Sequence, residues 1–510
     1  MNTRPLPMAA ILAAGVGIGF AGDFLLRAPG GPGLNFTLLF VGLAASVVIV
    51  SRSGGPRLGR EASLWVALGV LFGAGLVWRG SELLRFLAFV AACTAFALPA
   101  LHAGRPWVRR ARVPDLLEAV TAAGLHAGLG SLRLFQKGRW ETVGSEESRG
   151  TARVVIRSAT VGVLLAAVPL LVFGALFFSA DPVFSTIVED FVRIDLRTLA
   201  SHLTVAAILS WLACGYLTGL SSGTRLDGLR GIGWARPSLG VAEVAVALGL
   251  VDLLFLGFVT VQFRYLFGGA EWVEVTPGLS YAAYARQGFF QLVAATALGL
   301  PWLLVADGLL RERSASARWI FRTLAGAQLV LLLVIVASAV QRMRAYLDAY
   351  GLTESRFVAT GVLGWLALLV LWFGATMLRG RRTPFAFGTL VSAFALVALL
   401  QVADPAARSV RSQLERAEVA SLVDTGSGSR LDVEYLTTLG SDATPILVAR
   451  LDELDEAGRC EVARRLLSRW GPEREDDWRS WNLADRRARQ RVRADAARLR
   501  AMAGNGEDCG

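Results

Sequence analysis

A succession of long apolar runs constrains this chain more than any other feature, because each run can cross a lipid bilayer as a helix. The hydrocarbon core of a bilayer is about 30 Å thick, which a helix of about 20 apolar residues spans. The runs occupy about residues 6–20, 34–50, 62–77, 86–101, 154–178, 199–220, 239–263, 289–310, 320–340, 357–378 and 385–402. We therefore predict an all-α, polytopic helical membrane protein with about 11 transmembrane helices and a C-terminal α-helical extramembrane module.

The composition excludes one function that the net charge suggests. A balance of +11 is typical of a nucleic-acid-binding protein. However, 54% of the 510 residues are hydrophobic and only 18% are charged, which is outside the range of soluble domains. We expect the lipid bilayer to be the main partner, and we expect no nucleic-acid partner.

The charge also divides the chain into parts. Residues 404–510 hold 18 basic and 20 acidic residues, whereas residues 1–403 hold 34 and 21. We predict an N-terminal four-span segment at 1–102, a cytoplasmic connection with a candidate interfacial helix at 103–153, a seven-span core at 154–403 and a polar helical C-terminal module at 404–510.

Arginine and lysine residues indicate the orientation, because cytoplasmic connections carry an excess of them. The connections on the N-terminal side carry 24 such residues, of which 10 lie between Arg105 and Arg157, and those on the other side carry 10. We therefore place the N-terminus in the cytoplasm and, after 11 spans, the C-terminal module on the extracytoplasmic side. One span more or fewer would reverse the side of the module.

The connection at 103–153 contains leucines at helical spacing after Pro114, and basic residues flank them. Two interpretations are open. The segment could be a helix that lies on the cytoplasmic leaflet and is held by anionic lipid, or it could be a packed cytoplasmic hairpin between spans.

The C-terminal module contains helical stretches that Gly-Ser and Gly-Pro breakers separate. The stretch at 439–454 resembles one unit of a HEAT-type helical repeat. Cys460 and Cys509 lie in this module and could pair in an oxidising compartment. The four cysteines and three histidines of the chain show no metal-ligand spacing, so we expect no metal and no cofactor.

Glycines in the first span match two patterns. Gly17, Gly19 and Gly22 fit the GxGxxG pattern of dinucleotide-binding loops, but no strand precedes them and they lie inside an apolar run. Small residues in a span instead indicate close helix packing, which the GxxxG spacing of Gly15 and Gly19 also favours.

Acidic residues in or beside spans are costly to bury in lipid and therefore need a reason. Asp252 lies in the middle of the run at 239–263, and Asp181 follows the run at 154–178. Both are candidate polar sites. They could belong to a proton or cation relay, or they could be hydrogen-bonded packing groups.

Five of the seven tyrosines lie in two connections that the predicted topology places on the extracytoplasmic side. Arginines and glutamates accompany them, and the candidate ligand-binding residues are Arg264, Tyr265, Glu271, Tyr284, Arg286, Arg342, Tyr346 and Tyr350. The last three share one face of a helix, which Gly351 would end and Thr353 would follow as the next cap. Guanidinium groups and phenols suit an anionic head group or sugar phosphate. The alternative is the aromatic belt with snorkelling arginines of polytopic proteins.

Several runs are distinctive enough to indicate a family. They are Phe173-Gly-Ala-Leu-Phe-Phe-Ser-Ala-Asp-Pro-Val-Phe, Gln262-Phe-Arg-Tyr-Leu-Phe-Gly-Gly, Tyr284-Ala-Arg-Gln-Gly-Phe-Phe-Gln-Leu, Gln341-Arg-Met-Arg-Ala-Tyr and Asp477-Trp-Arg-Ser-Trp-Asn-Leu. Over residues 154–483 the chain resembles bacterial polytopic membrane proteins of the domain of unknown function 4173. The resemblance implies a multi-pass protein of the bacterial cell (inner) membrane, and it carries no activity, cofactor or catalytic residue.

These features favour a non-enzymatic membrane protein that works in transport or ligand binding. One alternative is a membrane enzyme for a lipid-linked or phosphorylated substrate, with Asp181 or Glu271 as the base and arginines as oxyanion clamps. Another is a membrane scaffold or signalling protein that acts through a protein partner of its C-terminal module.

Overall fold

The computed structural model describes residues 7–99, 108–135, 196–222, 239–267, 289–311, 314–422, 433–471 and 477–504. Apart from one isolated bridge between Leu239 and Leu310, the regular structure of these residues is helical. The α-helices are α1 (Met8–Leu26), α2 (Leu34–Arg52), α3 (Arg60–Trp78), α4 (Glu82–Ala97), α5 (Val113–Leu129), α6 (Leu196–Ser222), α7 (Val241–Phe267), α8 (Phe289–Leu309), α9 (Ala315–Tyr350), α10 (Glu354–Thr376), α11 (Arg382–Ala403), α12 (Pro405–Leu422), α13 (Val433–Thr438), α14 (Thr444–Ala449), α15 (Glu456–Trp470), α16 (Leu483–Ala494) and α17 (Ala496–Ala503). The predicted all-α fold is confirmed.

Among the described residues, nine helices are long and apolar enough to cross a membrane, namely α1 to α3 and α6 to α11. The predicted run at 86–101 forms most of α4, a shorter apolar helix of 16 residues. The predicted run at 154–178 lies outside the described residues. The chain is a multi-pass membrane protein, as its apolar runs predict.

The first span packs along α6, and its glycines permit the close approach. A Cβ atom at Gly15 would collide with the Cys214 side chain, and one at Gly19 would collide with the Ser210 hydroxyl. In contrast, nothing lies within 4 Å of a Cβ atom built at Gly17. The glycines at GxxxG spacing therefore serve helix packing, as predicted, and form no dinucleotide-binding loop.

The ends of the spanning helices lie on two opposite faces. On one face α1, α3, α9 and α11 end, while α2, α4 and α10 begin. We call this the tail face, because the C-terminal module packs against it. On the opposite face Leu239 pairs with Leu310, and Arg382 donates to the Asp307 carboxylate at 2.8 Å. This alternation fits a chain that crosses a membrane repeatedly, while the side on which each face lies stays a prediction.

The connection at 103–153 contributes α5, which packs against α6. The indole N–H of Trp211 donates to the Gly128 carbonyl at 2.7 Å, and the Ser131 hydroxyl donates to the Trp211 carbonyl at 2.6 Å. Large apolar side chains of α5 nevertheless stay exposed, with Leu117 at 62% and Leu129 at 59%. The segment therefore combines helix contacts with an exposed apolar surface that suits lipid.

The C-terminal module, α12 to α17, has its own apolar core, in which Val410, Leu451, Val462 and Val492 are fully or almost fully buried. The stretch at 439–454, which resembles one HEAT-type repeat unit in sequence, forms α14 and then a 3-10 turn. Sequence patterns missed α15, whose surface is rich in arginine and glutamate side chains. The side chain of Asp455 caps α15 by accepting the N–H of Gly458 at 3.0 Å.

Candidate functional site

The predicted arginine and tyrosine cluster is formed in part. α9 extends to Tyr350, Gly351 follows it with φ 72°, and Thr353 caps α10, as predicted. The Tyr346 and Tyr350 rings pack edge to face with centres 5.1 Å apart. However, the guanidinium over the Tyr346 ring, at 4.2 Å, belongs to Arg356 of α10, which also donates to the Tyr350 carbonyl at 3.0 Å. These contacts close the turn between two helices and occupy Nη1 of Arg356.

The other predicted residues of this cluster are placed less completely. Arg342 lies one turn before Tyr346 on α9 and is half-buried. The backbone of Arg264 and Tyr265 forms the end of α7, but their side chains are outside the described part of the structure. Four further candidates lie outside the described residues, namely Asp181, Glu271, Tyr284 and Arg286. A ligand-binding role for this group stays a prediction.

Asp252 lies in the middle of α7, and the residue is only 9% exposed. Neither of its carboxylate oxygens has a hydrogen-bond partner in the part of the chain that the structure describes. Whether Asp252 belongs to a relay or is a packing group stays a prediction.

An ionic group joins the tail-face ends of α1 and α6. The Asp23 carboxylate contacts the His202 ring nitrogen Nδ1 and accepts from Arg27 Nε at 2.6 Å. Arg27 also donates to the Ser201 hydroxyl at 2.8 Å. Because each Asp23 oxygen has a partner, we interpret this group as a structural contact that stabilises the packing of α1 against α6.

The most extensive polar cluster lies where the C-terminal module meets the tail face, and sequence reasoning missed it. Arg79 follows α3 and is only 7% exposed. Its guanidinium contacts the Asp404 carboxylate and lies 3.5 Å from that of Asp442. It also donates through Nε to the Gln401 carbonyl at 2.7 Å. Arg79 thus connects the ends of α3 and α11 with the module.

Asp442 precedes α14 and reaches the turn between α3 and α4. Its Oδ2 atom accepts the N–H of Gly80 at 2.6 Å and that of Ser81 at 3.1 Å. Burial, followed by the charge of the nearby Asp404, raises the pKa of the Asp442 carboxyl. The N–H groups of Gly80 and Ser81 and the positive charge of Arg79 only partly offset this rise. Ionisation of Asp442 therefore works against its burial, which makes this contact sensitive to pH.

A second layer of hydrogen bonds links α4, α10 and the module. The Ser81 hydroxyl accepts the N–H of Leu84, which caps α4, and contacts the Glu354 carboxylate. The Tyr435 hydroxyl accepts the Glu354 N–H at 3.0 Å and lies 3.0 Å from the Ser409 hydroxyl. Each membrane helix end in this layer is thus bonded to the module or to a neighbouring helix.

The segment that begins at Asp477 also docks on the tail face. Arg479 donates to the Phe24 carbonyl at 2.7 Å, and its guanidinium lies 4.7 Å from the centre of the Phe24 ring. The Trp481 carbonyl accepts the N–H of Leu34 at 3.0 Å. The run from Asp477 to Leu483 therefore contacts the ends of both α1 and α2.

A cleft of about 570 Å³ lies between the module and the first turns of α4 and α10. Its charged lining residues are Glu82, Arg85, Glu354, Arg469, Asp485 and Arg489. Two buried donors of the lining have no hydrogen-bond partner among the described residues: the Ser441 hydroxyl, in a residue that is 1% exposed, and Nη2 of Arg85. The latter lies 3.6 Å from the Asp485 carboxylate, beyond hydrogen-bond reach. The cleft therefore offers two unused donors next to a helix N-terminus.

Comparison with known proteins gives a family without an assigned activity. The family model described as domain of unknown function (DUF4153) matches residues 66–449, about three quarters of the chain. The resemblance to the domain of unknown function 4173 is thus wrong in its number, although an uncharacterised family is correct. The extent also differs, because the match begins within α3 and includes α4. No curated protein and no solved structure matches the chain.

Proposed function

This chain belongs to the family of the domain of unknown function DUF4153, and we propose that it is a bacterial cell-membrane protein that binds an acidic ligand in the cleft at its tail face. The proposal includes the orientation from the arginine count, with the N-terminus in the cytoplasm and the C-terminal module outside. The ligand would then come from the extracytoplasmic side or from the outer leaflet.

The two unused donors carry this proposal. A buried donor without a partner costs about 1–3 kcal/mol, so a cleft that keeps two of them gains free energy when a ligand supplies acceptors. The Ser441 hydroxyl lacks a hydrogen-bond partner among the described residues, and so does Nη2 of Arg85, which has only the longer ion pair with Asp485. The cleft also contains Glu82 and Leu83, at the N-terminus of α4, where main-chain N–H groups favour anions. An acceptor-rich, negatively charged group satisfies all three features.

The carboxylates of the lining restrict the ligand further. Glu82, Glu354 and Asp485 would repel a ligand with several negative charges. They would accept hydrogen bonds from hydroxyl or amino groups instead. We therefore propose a ligand with one phosphate or carboxylate group together with hydroxyl or amino groups, which describes both a lipid head group and a small phosphorylated solute.

The test uses the full-length protein in nanodiscs and two ligands that share a glycerol phosphate group. Glycerol 3-phosphate represents the free solute, and phosphatidylglycerol, compared with phosphatidylcholine, represents the lipid. We expect one of the two to raise the unfolding temperature, and we expect Arg85→Ala and Ser441→Ala each to weaken binding about tenfold or more, because each removes a hydrogen bond to an anion.

The matched control is Arg465→Ala, since Arg465 is 52% exposed in the same module and pairs only with a neighbouring glutamate on its own helix in the described contacts. It should bind as the unmodified protein does. Binding that Arg85→Ala and Ser441→Ala both leave unchanged would exclude this cleft as the site. Absence of any stabilisation by the solute and by the lipid would exclude glycerol phosphate chemistry.

A further inference from the structure

Two buried side chains that carry hydrogen-bond acceptors, but have no partner for them among the described residues, lie inside the bundle of α7 to α10. One is Asp252 on α7, both of whose carboxylate oxygens lack a hydrogen-bond partner. The other is Gln328 on α9, which is completely buried and whose amide nitrogen and oxygen both lack a partner. The indole nitrogen of Trp302 on α8 is a fifth unpaired polar atom of the same bundle. Such a set is unusual, because buried polar groups are normally hydrogen-bonded.

Both side chains lie on the buried stripes of their helices. On α7, Asp252 follows buried Leu248 by one turn. On α9, Gln328 lies between buried Ala325 and Leu332. Leu248, Ala325 and Leu332 belong to one apolar cluster, and α7 packs against α9. The two polar residues therefore project into the same apolar interior and not toward lipid.

Their depth places them near the middle of the membrane. α7 and α9 both begin on the face opposite the tail face, next to the bridge between Leu239 and Leu310. Asp252 lies about 16 Å along α7 from its first residue, and Gln328 about 20 Å along α9, at about 1.5 Å per residue. Both distances fall near the centre of a hydrocarbon core that is about 30 Å thick.

A permanently ionised, unpaired carboxylate at this depth would be very costly. In the described parts of α7 to α10, the other acidic side chains lie near helix ends: Glu243, Asp307, Asp348 and Glu354. The described interior thus holds one carboxylate and one carboxamide, whereas a dehydrated hard metal cation such as Ca²⁺ or Mg²⁺ takes about six or more oxygen ligands. A proton needs only one acceptor, so it is the cation that fits this set.

We propose that Asp252 is a proton-binding site in the middle of the membrane, with Gln328 as the second polar group of that site. A protonated carboxyl group is neutral and can donate one hydrogen bond, which an amide oxygen can accept. Such a group in a polytopic protein suits the movement of protons across the bilayer, because it can take up a proton from one side and release it to the other.

Infrared spectroscopy of the full-length protein in lipid tests the proposal directly. With a ¹³C label at the aspartate carboxyl carbons, the unmodified protein should show the carbonyl band of a protonated aspartic acid at neutral pH. We expect that band to disappear in Asp252→Asn and to remain in Asp307→Asn, whose carboxylate is paired with Arg382. The proposal would be overturned if the unmodified protein lacked the band at neutral pH, or if the band remained in Asp252→Asn.

A second variant tests Gln328 and does not depend on the folding of Asp252→Asn. Gln328→Leu replaces the amide by an apolar side chain of similar size, so we expect this variant to fold. The frequency of the Asp252 carbonyl band should shift, because the hydrogen bond to the amide is lost. An unshifted band would remove Gln328 from the site. A third measurement uses liposomes that contain the unmodified protein and enclose a pH-sensitive dye. A membrane potential that is negative inside should draw protons through the protein and acidify the interior. Equal acidification by Asp252→Asn would overturn the role in proton movement.

Discussion

The side-chain amide of Asn482, in the C-terminal module, donates to the main-chain carbonyl of Arg79 at 2.9 Å, at the end of a membrane helix. It also donates to the Leu76 carbonyl at 2.8 Å, in the last turn of α3. The Asn482 oxygen accepts the N–H groups of Ala484 and Asp485, which caps α16. One residue that is 1% exposed thus caps a helix of the module and fastens it to α3.

Two substitutions at Asn482 should separate its functions. Asn482→Asp keeps the oxygens that cap α16 but removes both donors to Leu76 and Arg79, and it places a negative charge against two carbonyl oxygens. We expect it to lower the stability of the docked module by about 2–4 kcal/mol. The measurement is the rate of limited proteolysis in the module, together with the unfolding temperature in detergent.

The matched control for Asn482→Asp is Asp455→Ala, which removes the cap of α15 but no contact with the membrane helices in the described structure. It should cost about 0.5–2 kcal/mol of module stability without faster release from the tail face. If Asn482→Asp is digested at the rate of the unmodified protein, the two donors contribute nothing to docking.

Docking should also depend on pH through Asp442. Because burial raises the pKa of this carboxyl in the folded protein above its ordinary value of 3.8, the folded state binds the proton more tightly than the unfolded state. Its contribution to stability is therefore fully present below 3.8 and is lost as the pH rises through the higher pKa of the folded protein. We expect Asp442→Asn to flatten the pH dependence of the unfolding temperature above about pH 4.

Asp442→Ala makes the complementary comparison. It removes the acceptor for the N–H groups of Gly80 and Ser81, so it should destabilise docking by about 1–3 kcal/mol at every pH. Asp442→Asn keeps one oxygen for these groups and should lose less. If both variants show the pH profile of the unmodified protein, another titrating group controls docking.

The packing of α1 against α6 predicts a difference between two glycines of the same helix. Gly19→Leu should lower stability by about 1–3 kcal/mol, because its side chain would enter space that Ser210 fills. Gly17→Leu has open space and should have little effect. Thermal unfolding of both variants in the same detergent measures the difference. Equal unfolding temperatures would mean that α1 and α6 can separate without loss of stability.

Local patterns made much of this fold predictable. Span length, the glycine after Tyr350 and the cap at Thr353 each depend on residues that are close in the sequence, and each is confirmed. The tyrosine pair on α9 also follows from its spacing. The arginine over those rings was not predictable from helical spacing, because Arg356 belongs to the next helix.

The polar cluster between the C-terminal module and the tail face was not predicted, for a related reason. Arg79 and Asp442 are 363 residues apart, and no sequence spacing records such a contact. Gln328 escaped because an uncharged amide barely interrupts an apolar run, whereas the charge of Asp252 stands out. A signal was nevertheless present at the junction. The turn of Arg79, Gly80 and Ser81 combines a cation, a glycine and a helix cap between two spans.

The last prediction concerns the side of the membrane on which the module lies. Cys460 in α15 is disulfide-bonded, whereas Cys93 and Cys214 carry free thiols. Cys509, the remaining cysteine, lies outside the described residues. Because disulfides persist in the periplasm and are rare in the cytosol, a module on the extracytoplasmic side should contain a Cys460–Cys509 bond in cells.

Labelling of intact cells with a membrane-impermeant maleimide tests the bond and the orientation together. We expect no labelling of the unmodified module before reduction and labelling of both cysteines after it. In Cys509→Ser, Cys460 should react without reduction and without permeabilisation. Cys93, which lies within the apolar helix α4, should stay unlabelled as the control. Labelling of Cys460 only after permeabilisation would place the module in the cytoplasm. That result would reverse the proposed orientation and leave the cleft facing the cytoplasm.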